Sequence, residues 1–172
     1  QNELLKMNLW NNSRRIKYLS TKHVIQKFKN KNIYSEGAYL LNNFIVAKKL
    51  KKDMNGFTLW KNEITSLMKV NSSPYFPSIV AADPNNLIIY MTYCGKSLEE
   101  VKHLPINWLY QFNKIKNILY KKGLNPNDIL TRNICILDNT IKIIDFGLAN
   151  GNFSELNKSM NKLENILKSY TN

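Results

Sequence analysis

From Lys122 to Ala149 the chain reads Lys-Gly-Leu-Asn-Pro-Asn-Asp-Ile-Leu-Thr-Arg-Asn-Ile-Cys-Ile-Leu-Asp-Asn-Thr-Ile-Lys-Ile-Ile-Asp-Phe-Gly-Leu-Ala, and this stretch constrains the fold more than any other. Two short apolar runs, Ile134–Leu137 and Ile141–Ile144, flank an Asp-Asn turn. Strands joined by so short a turn form a hairpin. The hairpin is expected to hold Asp128 and Asn133 at one mouth and Asp145 at its far exit. Three oxygen-bearing side chains converging beside a strand pair are well suited to holding Mg²⁺ on a polyphosphate and orienting a hydroxyl.

The 172 residues suffice for one sizeable core, or for two small lobes. Apolar residues at 44% and aromatics at 11% point to a globular rather than disordered chain. No apolar run reaches the roughly 18 residues of a transmembrane helix, so no membrane span is expected. The first residues, Gln1-Asn-Glu-Leu-Leu-Lys6, lack the apolar segment and cleavage site of a signal peptide. Cys94 and Cys135 match no disulfide framework or metal spacing. They read as reduced thiols of an intracellular protein, cytoplasmic or nuclear and not secreted. The abundance of Asn, Lys, Ile and Tyr suits an AT-rich genome, and a viral or bacterial source is expected.

A net charge of +13 is large for this size. Residues 1–53 hold twelve Lys/Arg, among them Arg14, Arg15, Lys27, Lys29, Lys31, Lys48, Lys49, Lys51 and Lys52, against Glu3, Glu36 and Asp53. This basic front half is a candidate surface for a polyanion: nucleic acid, an acidic protein or an anionic membrane. An AT-rich genome, by accumulating lysine, accounts for the same charge with no partner at all.

Periodicity places an amphipathic helical start at Leu4, Leu5, Met7, Leu9 and Trp10 and a weak first strand over 23–29. A polar turn region over 30–37 ends in Gly37. A strand follows over Phe44–Leu50, and then a turn over Asp53–Gly56. Leu59–Val70 carries a helical apolar stripe with Glu63 on its flank. Ile79–Ala82 and Leu87–Tyr93 flank the Asp83-Pro-Asn-Asn86 turn as strands. Ser97-Leu-Glu-Glu100 has the form of a capping box. Long helices are expected over Ile106–Tyr120 and Ser154–Tyr170.

Asp128 and Asn133 in this spacing, then a strand–turn–strand and Asp145-Phe146-Gly147, resemble the catalytic loop and metal-binding tripeptide of the protein-kinase-like superfamily. Registration continues upstream. Phe44-Ile-Val-Ala-Lys48-Lys-Leu50 resembles the family's third strand, whose lysine reaches the α- and β-phosphates of ATP. Period-2 alternation sends Lys48 and Lys49 to opposite faces, so only one can serve. Alignment on the strand favours Lys48, and taking Val46-Ala47 as the motif's start favours Lys49. Glu63 resembles the helix glutamate that pairs with that lysine. Leu87-Ile-Ile-Tyr-Met91-Thr-Tyr-Cys94-Gly95 resembles the last strand and hinge, where Met91 would screen the deep pocket and the Thr92 carbonyl and Cys94 N–H would meet adenine.

The resemblance implies an α+β, two-lobed fold: an N-terminal extension (1–22), a β-rich N-lobe (23–93) and a shortened helical C-lobe (94–172), all in one kinase-like domain. It implies ATP and Mg²⁺ as cofactors, Asp128 as the base toward a protein hydroxyl, and Asn133 and Asp145 as metal ligands. The implied activity is that of a minimal protein kinase, serine/threonine-directed rather than tyrosine-directed, similar to the RIO family or the kinase of the KEOPS complex. Departures are specific. Pro126-Asn127 replaces the family's His-Arg, Leu130 its lysine, and Gly37 alone stands for the glycine-rich loop, with Lys27, Lys29 and Lys31 as candidate compensation. Leu148–Asn172 holds no Ala-Pro-Glu, so the hydroxyl substrate is expected to be presented by a partner or by the protein itself. A pseudokinase or nucleotide-binding scaffold, and an atypical kinase or ATPase working with a nucleic-acid-associated partner, are the alternatives.

Overall fold

The computed structural model describes residues 9–28, 33–42 and 44–171, with side chains from Asn11 onward. The expected apolar start at Leu4, Leu5 and Met7, the side chains of Leu9 and Trp10, and the loop lysines Lys29 and Lys31 lie outside this description. The fold is mixed α+β. The chain divides into two compact units, Gln1–Met68 with Ser78–Tyr93, and Lys69–Pro77 with Cys94–Asn172.

The first unit is built on a five-stranded antiparallel sheet of order β1-β2-β3-β5-β4, with β1 Gln26–Phe28, β2 Ser35–Leu40, β3 Ile45–Leu50, β4 Ile79–Asp83 and β5 Ile88–Thr92. Helix α1, Leu9–Leu19, lies against the edge strand β4. Its Asn12 occupies both backbone groups of Ala82: Nδ2 donates to the carbonyl at 2.9 Å, and Oδ1 accepts the N–H at 2.9 Å. Arg15 donates to the Val80 carbonyl at 3.0 Å. Leu19 joins Leu41, Ala47, Ala81 and Tyr90 in a buried cluster.

Helix α2, Met54–Lys69, starts earlier than the sequence suggests. Asp53-Met-Asn-Gly56 reads as a turn, yet the Asp53 carboxylate accepts the Gly56 N–H at 2.7 Å and so caps a helix whose first turn is those same residues. Gly56 is required there, because a Cβ would stand 1.8 Å from the Lys51 carbonyl oxygen. The polar region over 30–37 is also shorter than expected, since β2 begins at Ser35. A bulge between Ser35 and Gly37 lets polar residues enter the ladder.

In the second unit, β6 (Lys96–Ser97), β7 (Ile134–Leu137) and β8 (Thr140–Ile143) form a three-stranded sheet. The β7–β8 turn has Asp138 and Asn139 both at positive φ, 49° and 59°, the two-residue form whose twist matches paired strands. Gln111 braces it, donating to the Asn139 carbonyl and accepting the Ile141 N–H, each at 2.8 Å. The strand β6 is too short to show a period, and no sequence pattern announces it. Gly95 (φ 89°) precedes it because a Cβ would meet the Ile136 carbonyl at 2.1 Å.

Helices α3 (Leu98–Val101), α4 (Trp108–Lys122) and α5 (Phe153–Ser169) complete the unit. The Glu100 carboxylate accepts from the Ser97 N–H at 3.4 Å, the expected capping box, although the helix it starts is a single turn. α4 and α5 touch, with Tyr120 donating to Asn157. Lys69–Pro77 belongs here because it runs along β8: the Ile143 N–H donates to the Tyr75 carbonyl at 2.8 Å, and Lys142 donates to the Pro74 carbonyl at 2.5 Å. Phe76 meets Phe146 edge-on, centroids 5.7 Å apart.

Candidate functional site

Each unit carries part of the candidate set. In the first, alternation along β3 puts Ala47 in the cluster beneath α1 and Lys48 on the opposite face. There α2 presents Glu63, and Lys48 Nζ lies 2.7 Å from Glu63 Oε2. Glu63 is 1% exposed and the Lys48 side chain 15%. Lys49 turns the other way and pairs at 3.4 Å with Glu36, on the bulge of β2, where both side chains are over a third exposed. Lys48 is thus the lysine that reaches the buried glutamate.

Gly37 stands inside β2 opposite Lys49, not at a loop tip. Its φ is 146°, and the Tyr39 ring covers it so closely that a Cβ would meet the phenol oxygen at 2.8 Å. Met91 is buried in β5, paired with Val46 and Ile79. Thr92 ends that strand, its N–H donating to the Ser78 carbonyl and its hydroxyl accepting the Ser78 N–H, both at 2.9 Å.

In the second unit, a 3₁₀ turn at Thr131–Asn133 ends the loop and leads into β7. Buried Asn133 donates from Nδ2 to the Asp128 carbonyl at 3.0 Å and to its carboxylate at 3.3 Å. Both bonds use the amide nitrogen, so the amide oxygen, the atom that a cation takes, is not spent on Asp128. The Asn133 carbonyl accepts the Ile144 N–H at 3.0 Å, which brings the start of Asp145-Phe-Gly alongside Asn133. Asp145 has φ 70°, a left-handed backbone rare outside glycine, and its Oδ1 accepts weakly from the Gly147 N–H at 3.4 Å. Asp128 and Asp145 are half-buried. Two carboxylates and an amide oxygen are hard donors suited to Mg²⁺. Among the described residues no group of three or more His, Cys, Asp or Glu could hold a metal ion, so a cation here needs Asn133 or oxygens from its ligand.

Cys94 is buried in the same unit, and burial pushes its thiol up to about 12 despite the opposing charge of Lys142. Cys135 is also pushed up to about 12, by burial first and then by Cys94 and Glu100. Neither is a nucleophile at neutral pH.

Sequence reasoning missed Asn125 and Ser159, and it took Asn127 only as a departure from the family's pattern. Asn125 is fully buried, and its Oδ1 accepts from Ser159 Oγ at 2.7 Å and from the Asn127 N–H at 3.0 Å. The run Asn125-Pro-Asn-Asp128 signals a tight turn rich in side-chain acceptors, but nothing in it says which asparagine turns inward.

The sequence matches no model of a known protein family and no curated protein.

Proposed function

We propose that the chain is an ATP- and Mg²⁺-dependent phosphotransferase of the protein-kinase-like superfamily, a minimal serine/threonine protein kinase with a two-lobed fold. The observation that carries this reading is the Lys48–Glu63 pair. A buried ion pair is a poor source of stability, because desolvation offsets most of its attraction. A strand lysine held by a helix glutamate does, however, present a fixed cation to phosphate oxygens. Asp128 is the group that orients the acceptor hydroxyl and takes its proton. Asn133 and Asp145 are the residues that would hold the metal. Bound there, Mg²⁺ supplies charge neutralisation to the β- and γ-phosphates.

Leu130 and Asn127 stand where the family has cations, and this favours a second reading, a nucleotide-binding scaffold. One experiment separates the two. Wild type and Asp128→Asn are incubated with γ-labelled ATP, Mg²⁺ and generic acceptor proteins, and melted with and without Mg-ATP. Transfer by wild type alone is expected, with thermal stabilisation in both. Stabilisation without transfer leaves the scaffold. No stabilisation of the wild type at millimolar Mg-ATP sinks both.

The charge supports a polyanion or acidic partner. The first unit's segments contain thirteen Lys/Arg against five Asp/Glu and the second's twelve against seven, so the excess is larger in the first but present in both. Binding to heparin should weaken steeply between low and physiological salt. No helix among the described residues is long and apolar enough to cross a membrane.

A further inference from the structure

We infer that Asn125 is a positioning residue for Asp128: its buried amide pins the strained turn from which that carboxylate projects. Burying an asparagine completely is costly unless every polar atom finds a partner. Asn125 meets this condition, since Oδ1 accepts from Ser159 and from the Asn127 N–H, and Nδ2 donates to Asn150 Oδ1 at 3.2 Å. An apolar side chain would fill such a site at lower cost, so stability alone does not account for the network.

The next turn supplies a reason. Asn127 has φ 67°, and the Asp128 N–H donates back across it to the Pro126 carbonyl at 2.8 Å. A three-residue turn with positive φ at its centre is the rare, strained kind and persists only when its surroundings over-determine it. Two ties do so here. Asn125 Oδ1 holds the N–H of Asn127, and the Asn127 side chain donates to the Leu148 carbonyl at 3.2 Å. Asp128 is the residue immediately after the strained one, so relaxing the turn redirects its carboxylate.

A bracket between the loop and the segment before α5 would be the plainer role for Asn125. The backbone already provides that bracket. Asn125 and Asn150 exchange both backbone hydrogen bonds, at 2.8 and 2.9 Å, and these need no side chain at position 125. The asparagine side chain adds something the backbone bridge does not: a fixed acceptor for the Asn127 N–H.

The activity readout rests on the phosphotransfer reading, and the exchange readout does not. Asn125→Leu and Ser159→Ala are compared with wild type by residue-resolved amide hydrogen exchange, Mg-ATP affinity and rate of phosphoryl transfer. In Asn125→Leu the Asn127 and Asp128 amides should exchange at least about tenfold faster while those of β7 stay unchanged. The transfer rate should fall about a hundredfold with nucleotide affinity within about twofold, since the carboxylate is redirected while Asn133, which would hold the metal, keeps its bond to the Asp128 carbonyl. Ser159→Ala keeps the Asn127 tie but loosens its acceptor, so the same changes should appear at roughly threefold to tenfold. If Asn125→Leu does not fold, Ser159→Ala decides. Unchanged exchange at Asn127 and Asp128 overturns the inference, as does loss of nucleotide affinity in step with rate. Failure of wild type to transfer phosphate would end the proposed function instead, and exchange alone would then decide the role of Asn125.

Discussion

Lys48 and Lys49 are adjacent in sequence and have opposite environments, and this is the sharpest contrast at the scale of single residues. On the proposed function, Lys48→Met should abolish a Mg-ATP-dependent rise in melting temperature, while Lys49→Met should leave it intact, because Lys49 spends its charge on Glu36 at the surface. The reverse result would assign the phosphate role to Lys49. Stability should follow a different rule. Lys48→Met leaves the Glu63 carboxylate buried without its ammonium partner, at a cost of about 3 kcal/mol. Adding Glu63→Leu should restore most of it, since removing both charges also removes the desolvation burden. Urea melts of the two single variants and the double variant test this. Additive losses in the double variant would show that each residue is stabilised by something other than the other.

At the scale of elements, helix α2 depends on two residues whose sequence pattern is that of a turn. Asp53→Ala should cost about 1 kcal/mol by freeing the Gly56 N–H. Gly56→Ala, normally favourable inside a helix, should instead cost a few kcal/mol because its Cβ collides with backbone at Lys51. Since α2 carries Glu63, both should also weaken Mg-ATP binding. Chemical denaturation checks the sign, and a stabilising Gly56→Ala would contradict the packing described. These two positions also show where sequence legibility stops. Long apolar periods identify α2, α4, α5 and the β7–β8 hairpin, because burial repeats over several turns or strand positions. Helix starts and the two-residue strand β6 are decided by one or two contacts, and no period reveals them. The same holds for the site. Asp128, Asn133 and Asp145 stand out by spacing, whereas Asn125 and Ser159 are 34 residues apart and meet only once α5 is in place.

At the scale of the whole molecule, the two buried thiols link stability to alkaline pH. An unfolded cysteine ionises near about 8.5. In the fold both thiols hold their protons up to about 12. Between those values unfolding releases protons, so stability falls as pH rises, and the thiol contribution is fully present only below the unfolded value. The drop in melting temperature between about pH 8 and about pH 10.5 should therefore be smaller in a Cys94→Ala, Cys135→Ala double variant. An equal drop would mean that the thiols ionise freely in the fold. Native protein at neutral pH should also resist alkylation until it is unfolded.

The contact between Asn12 and Ala82 bears on how the molecule behaves in company. β4 is the last strand of its sheet, and an open strand edge is a template on which another chain can add itself. By occupying both outward groups of Ala82, Asn12 takes the place of a neighbouring strand. Asn12→Ala should thus leave the chain folded but more prone to concentration-dependent self-association, visible in sedimentation as a growing heavy species. Helix α1 then serves as a guard against polymerisation, and conditions that loosen it would be the ones in which this protein begins to aggregate.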